Sequence, residues 1–196
     1  MKISIVGAGG QGKTSLVKRL VSDLKIDGYD AVEVVEYARS FIEECGGVQS
    51  AWEQLEIMMG QFERERRAAE RYEIVVSDIT SWLAFPYSTE YVDYSSKRDR
   101  YILKRLFGRV LDVCHLYDYC FYLPKIFLLQ LDAVRMEWNN TTRSDNTLDE
   151  KAQVVDEKIR AFMVLFDIDY INVEQQDITE RVNFIRSAAG LYREQV

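Results

Sequence analysis

The sequence predicts an α/β fold, a three-layer sandwich in which a five-stranded parallel sheet is flanked by helices. Three observations predict it. An apolar strand pattern (Ile3, Ile5, Val6) runs directly into a glycine-rich loop that opens a helix. Beyond that loop, short apolar or β-branched runs alternate with helical patterns to the end of the chain. Such alternation implies parallel strands covered on both faces. Finally, acidic residues stand at the ends of two of these runs, the edge where open parallel sheets bind ligands.

Each element has its own signal. Thr14 to Leu24 reads as the first helix, and Ala31 to Val35 as a β-branched strand ending at Glu36. A helix follows near Ala38 to Cys45 and is stopped by Gly46 and Gly47. Ser50 is placed to cap a longer helix, with Trp52, Leu55, Met59 and Phe62 at helical spacing on one face. Glu73 to Ser77 is a buried strand that delivers Asp78. Tyr101, Ile102, Leu106, Val110 and Val113 mark another amphipathic helix, and Tyr119 to Leu123 a fourth strand closed by Pro124. A polar stretch over residues 137–146 interrupts the pattern. Ala152, Val155, Ile159, Phe162 and Phe166 resume a helix, Tyr170 to Val173 form a fifth strand, and Asp177 starts a last helix.

Residues Gly7 to Thr14 satisfy G-x-x-x-x-G-K-S/T, the phosphate-binding P-loop. Gly7, Gly9, Gly10, Gln11 and Gly12, with Lys13, Thr14 and Ser15 at the helix start, are therefore the candidate nucleotide-binding residues. Glycines let backbone N–H groups turn onto phosphate oxygens, and the helix N-terminus adds partial positive charge. Lys13 is expected to reach the β- and γ-phosphates and the Thr14 hydroxyl to hold Mg²⁺. A plain turn has no use for Lys-Thr at this point. The fold is thereby expected to be that of a P-loop NTPase.

Composition narrows the class. The 196 residues suit one domain with a sizeable core, and 47% hydrophobic with 29% charged residues is an ordinary globular balance. No signal peptide pattern opens the chain, and no run approaches the ~20 apolar residues of a membrane span. A cytoplasmic protein is expected, in the host cytoplasm if the source is viral. Cys45, Cys114, Cys120 and the lone His115 have neither the spacing nor the number for a zinc site or a triad. Cys114 and Cys120 lie in apolar surroundings and read as core residues. The net charge of −7 disfavours a generic duplex-binding surface. The basic clusters at Arg64 to Arg67, Lys97 to Arg100 and Lys104–Arg105 are interleaved with acids or apolar residues and read as solvated helix faces.

Four groups follow predicted strands: the P-loop, Glu36, Asp78 and the segment around Arg143. Phosphoryl transfer asks for such a set, because the protein mainly positions groups and neutralises charge. An acid can take the acceptor's proton, an acid can hold metal-bound water, and an Arg can cover the phosphate. Glu36 is the better base and Asp78 the better metal-side acid, although these roles are exchangeable. Arg39 either clamps a substrate phosphate or pairs with Glu36. Trp82, Phe85 and Tyr87 offer either an aromatic wall for a base or core packing.

Glu36-Tyr37-Ala38-Arg39 resembles the E-Y-A-R motif of P-loop kinases related to the ribosylnicotinamide kinase domain of the bifunctional NAD-biosynthesis regulator. The similarity extends through Gln61 and through Val75-Val76-Ser77-Asp78, where the family has a strand ending in D-T-D. It includes Tyr117 to Leu123, like the Y-D-x-x-F-x-L strand, Thr142-Arg143-Ser144-Asp145, like a G-x-R-S-x-D lid, and Ile171 to Val173. The resemblance implies one kinase domain over residues 1–196, with an adenylate-kinase-like core and a short lid around 135–148. It implies ATP and Mg²⁺ as co-substrates and a nucleoside or nucleotide acceptor. Lys13, Glu36, Asp78 and Arg143 are then the catalytic set, Thr14 and Asp78 the metal side, and Glu36, Arg39, Gln61 and Trp82 the acceptor side.

The departures widen the choice of acceptor. Asp78-Ile79-Thr80 replaces D-T-D, the lid glycine is missing, and no nucleotidyltransferase segment precedes the kinase pattern. Glu36 and Arg39 are also similar to the acid-x-x-Arg of polynucleotide kinases, and related viral kinases act on nucleotides or hydroxymethylated bases in DNA. A hydroxymethylpyrimidine in DNA is therefore a rival acceptor, and a nucleotide-binding switch or adaptor without turnover is the reading from a different class. N-K-x-D is absent, which argues against a conventional GTPase. A homodimer is compatible with the sequence but is not read from it.

Overall fold

The computed structural model describes residues 1–48, 50–89, 92–127 and 146–192, with side chains in the last stretch from residue 149. Most of the expected lid, including Arg143, lies outside the described residues. Five strands form one sheet: β1 (Lys2–Val6), β2 (Ala31–Val34), β3 (Ile74–Asp78), β4 (Tyr119–Tyr122) and β5 (Ile171–Asn172). Their order is β2-β3-β1-β4-β5 and every pairing is parallel. The register sets Ile5 opposite both Asp78 and Phe121, and Val34 opposite Ser77. The carboxyl ends of β1, β2 and β3 therefore finish side by side.

Seven helices connect and cover the strands among the described residues: α1 (Lys13–Ile26), α2 (Tyr37–Cys45), α3 (Ala51–Ala69), α4 (Ala84–Ser88), α5 (Lys97–Val113), α6 (Asn146–Leu165) and α7 (Ile178–Ala188). A single 3₁₀ turn, Ser81–Leu83, precedes α4. Alternation along the strands divides the core into two layers, as side chains two apart share a face. Ile3, Ile5, Val76 and Phe121 pack against Leu16 and Leu20 of α1 and Val182 and Ile185 of α7. On the opposite face Val6, Cys120 and Tyr122 meet Met58 of α3, Leu106 and Val110 of α5, and Ile159 and Phe162 of α6.

Helix ends follow their chemistry. Gly46, in the left-handed conformation at φ 77°, closes α2. Ser50 and Glu53 form a reciprocal capping box on α3, and Asp177 accepts the N–H groups of Thr179 and Glu180 at the start of α7. The face of α3 differs from expectation. Trp52 and Met59 are exposed, and the buried stripe is Ala51, Gln54, Ile57, Met58, Gln61, Glu65 and Ala68. The inner face is turned towards Gln61 and Glu65, which find buried hydrogen-bond partners, those of Gln61 just beyond the carboxyl ends of β2 and β3, so polar residues share the buried stripe while Trp52 and Met59 face outward. Among the described residues no helix is long and apolar enough to cross a membrane.

Candidate nucleotide and phosphoryl-transfer site

The loop after β1 turns on three glycines with positive φ: Gly7 at 144°, Gly10 at 80° and Gly12 at 78°. A Cβ on Gly7 would lie 2.4 Å from the backbone oxygen of Leu123, so only glycine fits between the loop and the end of β4. Gly12 is the N-cap of α1, which places Lys13 and Thr14 in its first turn. Lys13 is buried, and its Nζ donates to the carbonyl of Ala8 at 2.6 Å, folding back over the loop. Gly9 is partly exposed, and Gly10, Gly12 and Ser15 are exposed on the open side.

Gln11 braces this loop. Fully buried, its Oε1 accepts the N–H groups of Ile126 and Phe127 at 2.9 and 3.0 Å. Its Nε2 donates to the carbonyls of Gly9 and Phe127 at 3.2 and 3.0 Å. Arg181 braces it from the other side, donating from Nη1 to the Gln11 carbonyl at 2.8 Å and from Nε to the Gln175 carbonyl at 2.6 Å. The Arg181 guanidinium also lies 5.3 Å from the centre of the Phe127 ring, and burial lowers its pKa.

The acids approach from neighbouring strands. Asp78 is the last residue of β3, buried, and its Oδ2 accepts the Thr14 hydroxyl at 2.5 Å. Its Oδ1 is buried with no hydrogen-bond partner among the described residues. Glu36, also buried, is the N-cap residue of α2 and makes no capping bond to that helix. Arg39, half-buried, stands in the first turn of α2. Between the two acidic segments lies Gln61. Its Oε1 accepts the Tyr37 N–H at 2.8 Å, and its Nε2 donates to the Ile79 carbonyl at 3.1 Å and to Glu65 at 3.3 Å. Ile79 has φ 74°, a conformation costing a β-branched residue about 1–3 kcal/mol, so the surroundings hold it there. Behind Gln61, Glu65 accepts the Tyr117 hydroxyl at 2.7 Å and faces Lys2 at 3.9 Å. Burial raises the pKa of Glu65 and, with the Glu65 charge, that of Tyr117.

Several expected residues thus come together: the P-loop, Thr14 and Asp78 in direct contact, with the chain neighbours of Glu36 and Asp78 bonded to one amide. Two do not take the expected position. Trp82 is fully buried and stacked on Phe162 with ring centres 5.6 Å apart, so its indole belongs to the core and presents no wall to a ligand. Its apolar surface is better satisfied between α3, α5 and α6 than at an edge. Gln61, expected at a substrate, is buried with both amide N–H groups given to protein acceptors. Arg143 lies outside the described residues.

Arg181, Glu65 and Tyr117 were not legible as site residues. For Arg181 and Glu65 a signal exists: each is a charge on an apolar stripe, Arg181 among Ile178, Val182 and Ile185, and Glu65 among Ile57, Met58 and Ala68. A charge at a core position needs a partner, and here the partners lie next to the loop and the acidic segments.

The donor set at the helix start suits a hard cation. Mg²⁺ takes oxygen ligands, and Thr14 Oγ1 with the orphaned Asp78 Oδ1 supplies one hydroxyl and one carboxylate beside a phosphate-binding loop. Among the described residues no group of three or more His, Cys, Asp or Glu gathers for a metal.

The chain is similar to several solved structures. NadR protein in complex with NAD and AMP-PNP superimposes with a TM-score of 0.73 at 17% identity, covering 100% of this chain. This chain spans about half (51%) of the NadR chain. Deoxyadenosine kinase from M. mycoides gives 0.63 at 16% identity, covering 98% of this chain and 100% of the other. Thymidylate kinase from Ehrlichia chaffeensis gives 0.59 at 18% identity, covering 96% and 98%. The fold is therefore that of the P-loop kinases. No curated protein sequence matches the chain. The family described as "AAA domain" matches residues 2–181, from the first strand to the arginine that braces the P-loop, and the chain belongs to that family.

Proposed function

We propose that this protein is an ATP- and Mg²⁺-dependent kinase that transfers the γ-phosphoryl group to a hydroxyl of a nucleoside or nucleotide. The observation that carries this reading is the contact between Thr14 and Asp78 at 2.5 Å. It joins the P-loop helix to the end of β3, with Glu36 arriving at the end of the adjacent β2. A phosphate site, a metal-side carboxylate and a second carboxylate on one rigid edge are what positioning and charge neutralisation require.

In this mechanism the P-loop N–H groups and Lys13 hold the β- and γ-phosphates of ATP. Thr14 and Asp78 would hold Mg²⁺, which would supply charge neutralisation on the phosphate oxygens. Glu36 accepts the proton of the acceptor hydroxyl as its oxygen bonds to the γ-phosphorus. The bond from that phosphorus to the β–γ bridging oxygen breaks, and ADP leaves with the electron pair. Arg39 steadies the acceptor side and Arg143 covers the transferring phosphate.

The test is transfer from γ-radiolabelled ATP to a panel of nucleosides, nucleotides and DNA carrying hydroxymethylated pyrimidines. Incorporation into the free compounds supports the reading, and incorporation only into polymer favours a DNA-base kinase. ATP binding with no turnover across the panel would leave a nucleotide-dependent switch. Glu36→Gln sharpens the distinction: transfer should fall by about 10²- to 10⁴-fold while nucleotide affinity stays within about twofold.

A further inference from the structure

The side chain of Gln61 bridges the main chain just beyond the last paired residues of β2 and β3, Val34 and Ser77. Tyr37 follows Glu36 and Ile79 follows Asp78, so the two backbone groups it binds are each one residue from a proposed functional acid. We propose that Gln61 is a positioning residue that sets the orientation of Glu36 relative to Asp78, a role that rests on the kinase reading.

The chemistry of the amide makes the bridge directional. Tyr37 offers only an N–H, one of the donors at the start of α2 that the helix itself leaves without a partner. Ile79 offers a carbonyl held in a left-handed conformation that a β-branched residue does not favour by itself. The amide supplies an acceptor for the first and a donor for the second, and a reversed amide would set like against like at both. A carboxylate lacks the donor and an ammonium lacks the acceptor.

The bridge is braced from behind. The second Gln61 N–H goes to Glu65, whose other oxygen accepts from Tyr117, and Tyr117 in turn accepts the Ser81 N–H at 3.3 Å. The Lys2 ammonium lies 3.9 Å from Glu65 and 4.6 Å from the centre of the Tyr117 ring. Tyr37 is braced too: its ring lies against Gly60, where a Cβ would come within 2.4 Å of it, and beneath the Arg64 guanidinium at 4.6 Å. Gln61 therefore has one rotamer supported on all sides, as a positioning group needs.

Two variants test the role. Gln61→Met keeps length and removes both backbone bonds; Gln61→Glu keeps the acceptor for Tyr37 and removes the donor to Ile79. Amide hydrogen exchange reads the Tyr37 N–H, and binding of a fluorescent ATP analogue, titrated with Mg²⁺, reads the Asp78 side and counts active sites. In Gln61→Met, Tyr37 exchange should accelerate at least about tenfold, and kcat per active site should fall by about 10-fold to 10²-fold with KM for ATP within about twofold. Gln61→Glu should keep Tyr37 protected yet raise the Mg²⁺ half-saturation at least about threefold, as Gln61→Met should also. Unchanged Tyr37 exchange in Gln61→Met, or unchanged kcat and Mg²⁺ response, would overturn the proposal. If the wild type transfers phosphate to nothing on the panel, the kinase reading falls and the Mg²⁺ titration alone decides: a raised half-saturation in both variants supports the bridge, and an unchanged one overturns it. Should Gln61→Met fail to fold, Gln61→Glu carries the Mg²⁺ and kcat measurements.

Discussion

Gly7 and Lys13 represent two kinds of residue in the P-loop. Gly7 is there for lack of a side chain: its φ of 144° and the Leu123 carbonyl 2.4 Å from an added Cβ leave no room for alanine. Gly7→Ala should cost about 3 kcal/mol or more, lowering the melting temperature by several degrees, because the obstructing atom is backbone and cannot swing aside. Lys13 is there for its charge. Its Nζ is held at the Ala8 carbonyl, and in the proposed kinase exchanging that neutral acceptor for phosphate oxygens would add an ion pair. Lys13→Ala should leave the fold intact by circular dichroism while weakening binding of an ATP analogue by about tenfold or more. The cysteines fall into two groups as well. Burial pushes the Cys120 thiol up to about 11 and leaves it unreactive, whereas Cys45 is exposed.

Secondary-structure elements deliver these residues, and their ends carry the chemistry. Helix α3 is the clearest case. Its start is specified locally by Ser50 and Glu53, whose side chains each take the other's backbone N–H. Ser50→Ala should cost about 1 kcal/mol, a fall of about 2–4 °C in thermal melting followed by circular dichroism. That cap was legible because it depends on residues three apart in sequence. The inner face of α3 was legible only in part. Leu55 and Phe62 do pack against the core, but Trp52 and Met59 face solvent. Gln61 and Glu65 turn inward because Tyr37, Ile79 and Tyr117, all distant in sequence, supply their partners.

At the scale of the whole molecule, buried charge links stability to pH. Glu65 is held among Gln61, Ser77, Tyr117 and Lys2, and desolvation raises its pKa from an ordinary 4.5. A carboxyl with a raised folded pKa binds its proton more tightly folded than unfolded. Its stabilising contribution is therefore full below about pH 4.5 and is lost as pH climbs through the folded value. Glu65→Gln removes that dependence. The melting temperature of the wild type minus that of Glu65→Gln should thus fall as pH is raised from 4.5 towards neutrality. A difference that stays flat or grows over this range would contradict the assignment.

The order of strands and helices, the P-loop with Lys13 and Thr14, the capping of α3 and α7, and the acids ending β2 and β3 could all be read along the chain. Each depends on residues within a few positions of one another, where periodicity, capping chemistry and glycine geometry act. The strand order, the contact between Thr14 and Asp78, the burial of Trp82 against Phe162, and the bracing of the loop by Arg181 could not. Those are pairings between residues far apart in sequence, from 43 positions for Ala31 with Ile74 in the sheet to 170 for Arg181 with Gln11. Which partner a buried polar group finds is decided only when the sheet closes and every desolvated donor and acceptor must be satisfied at once.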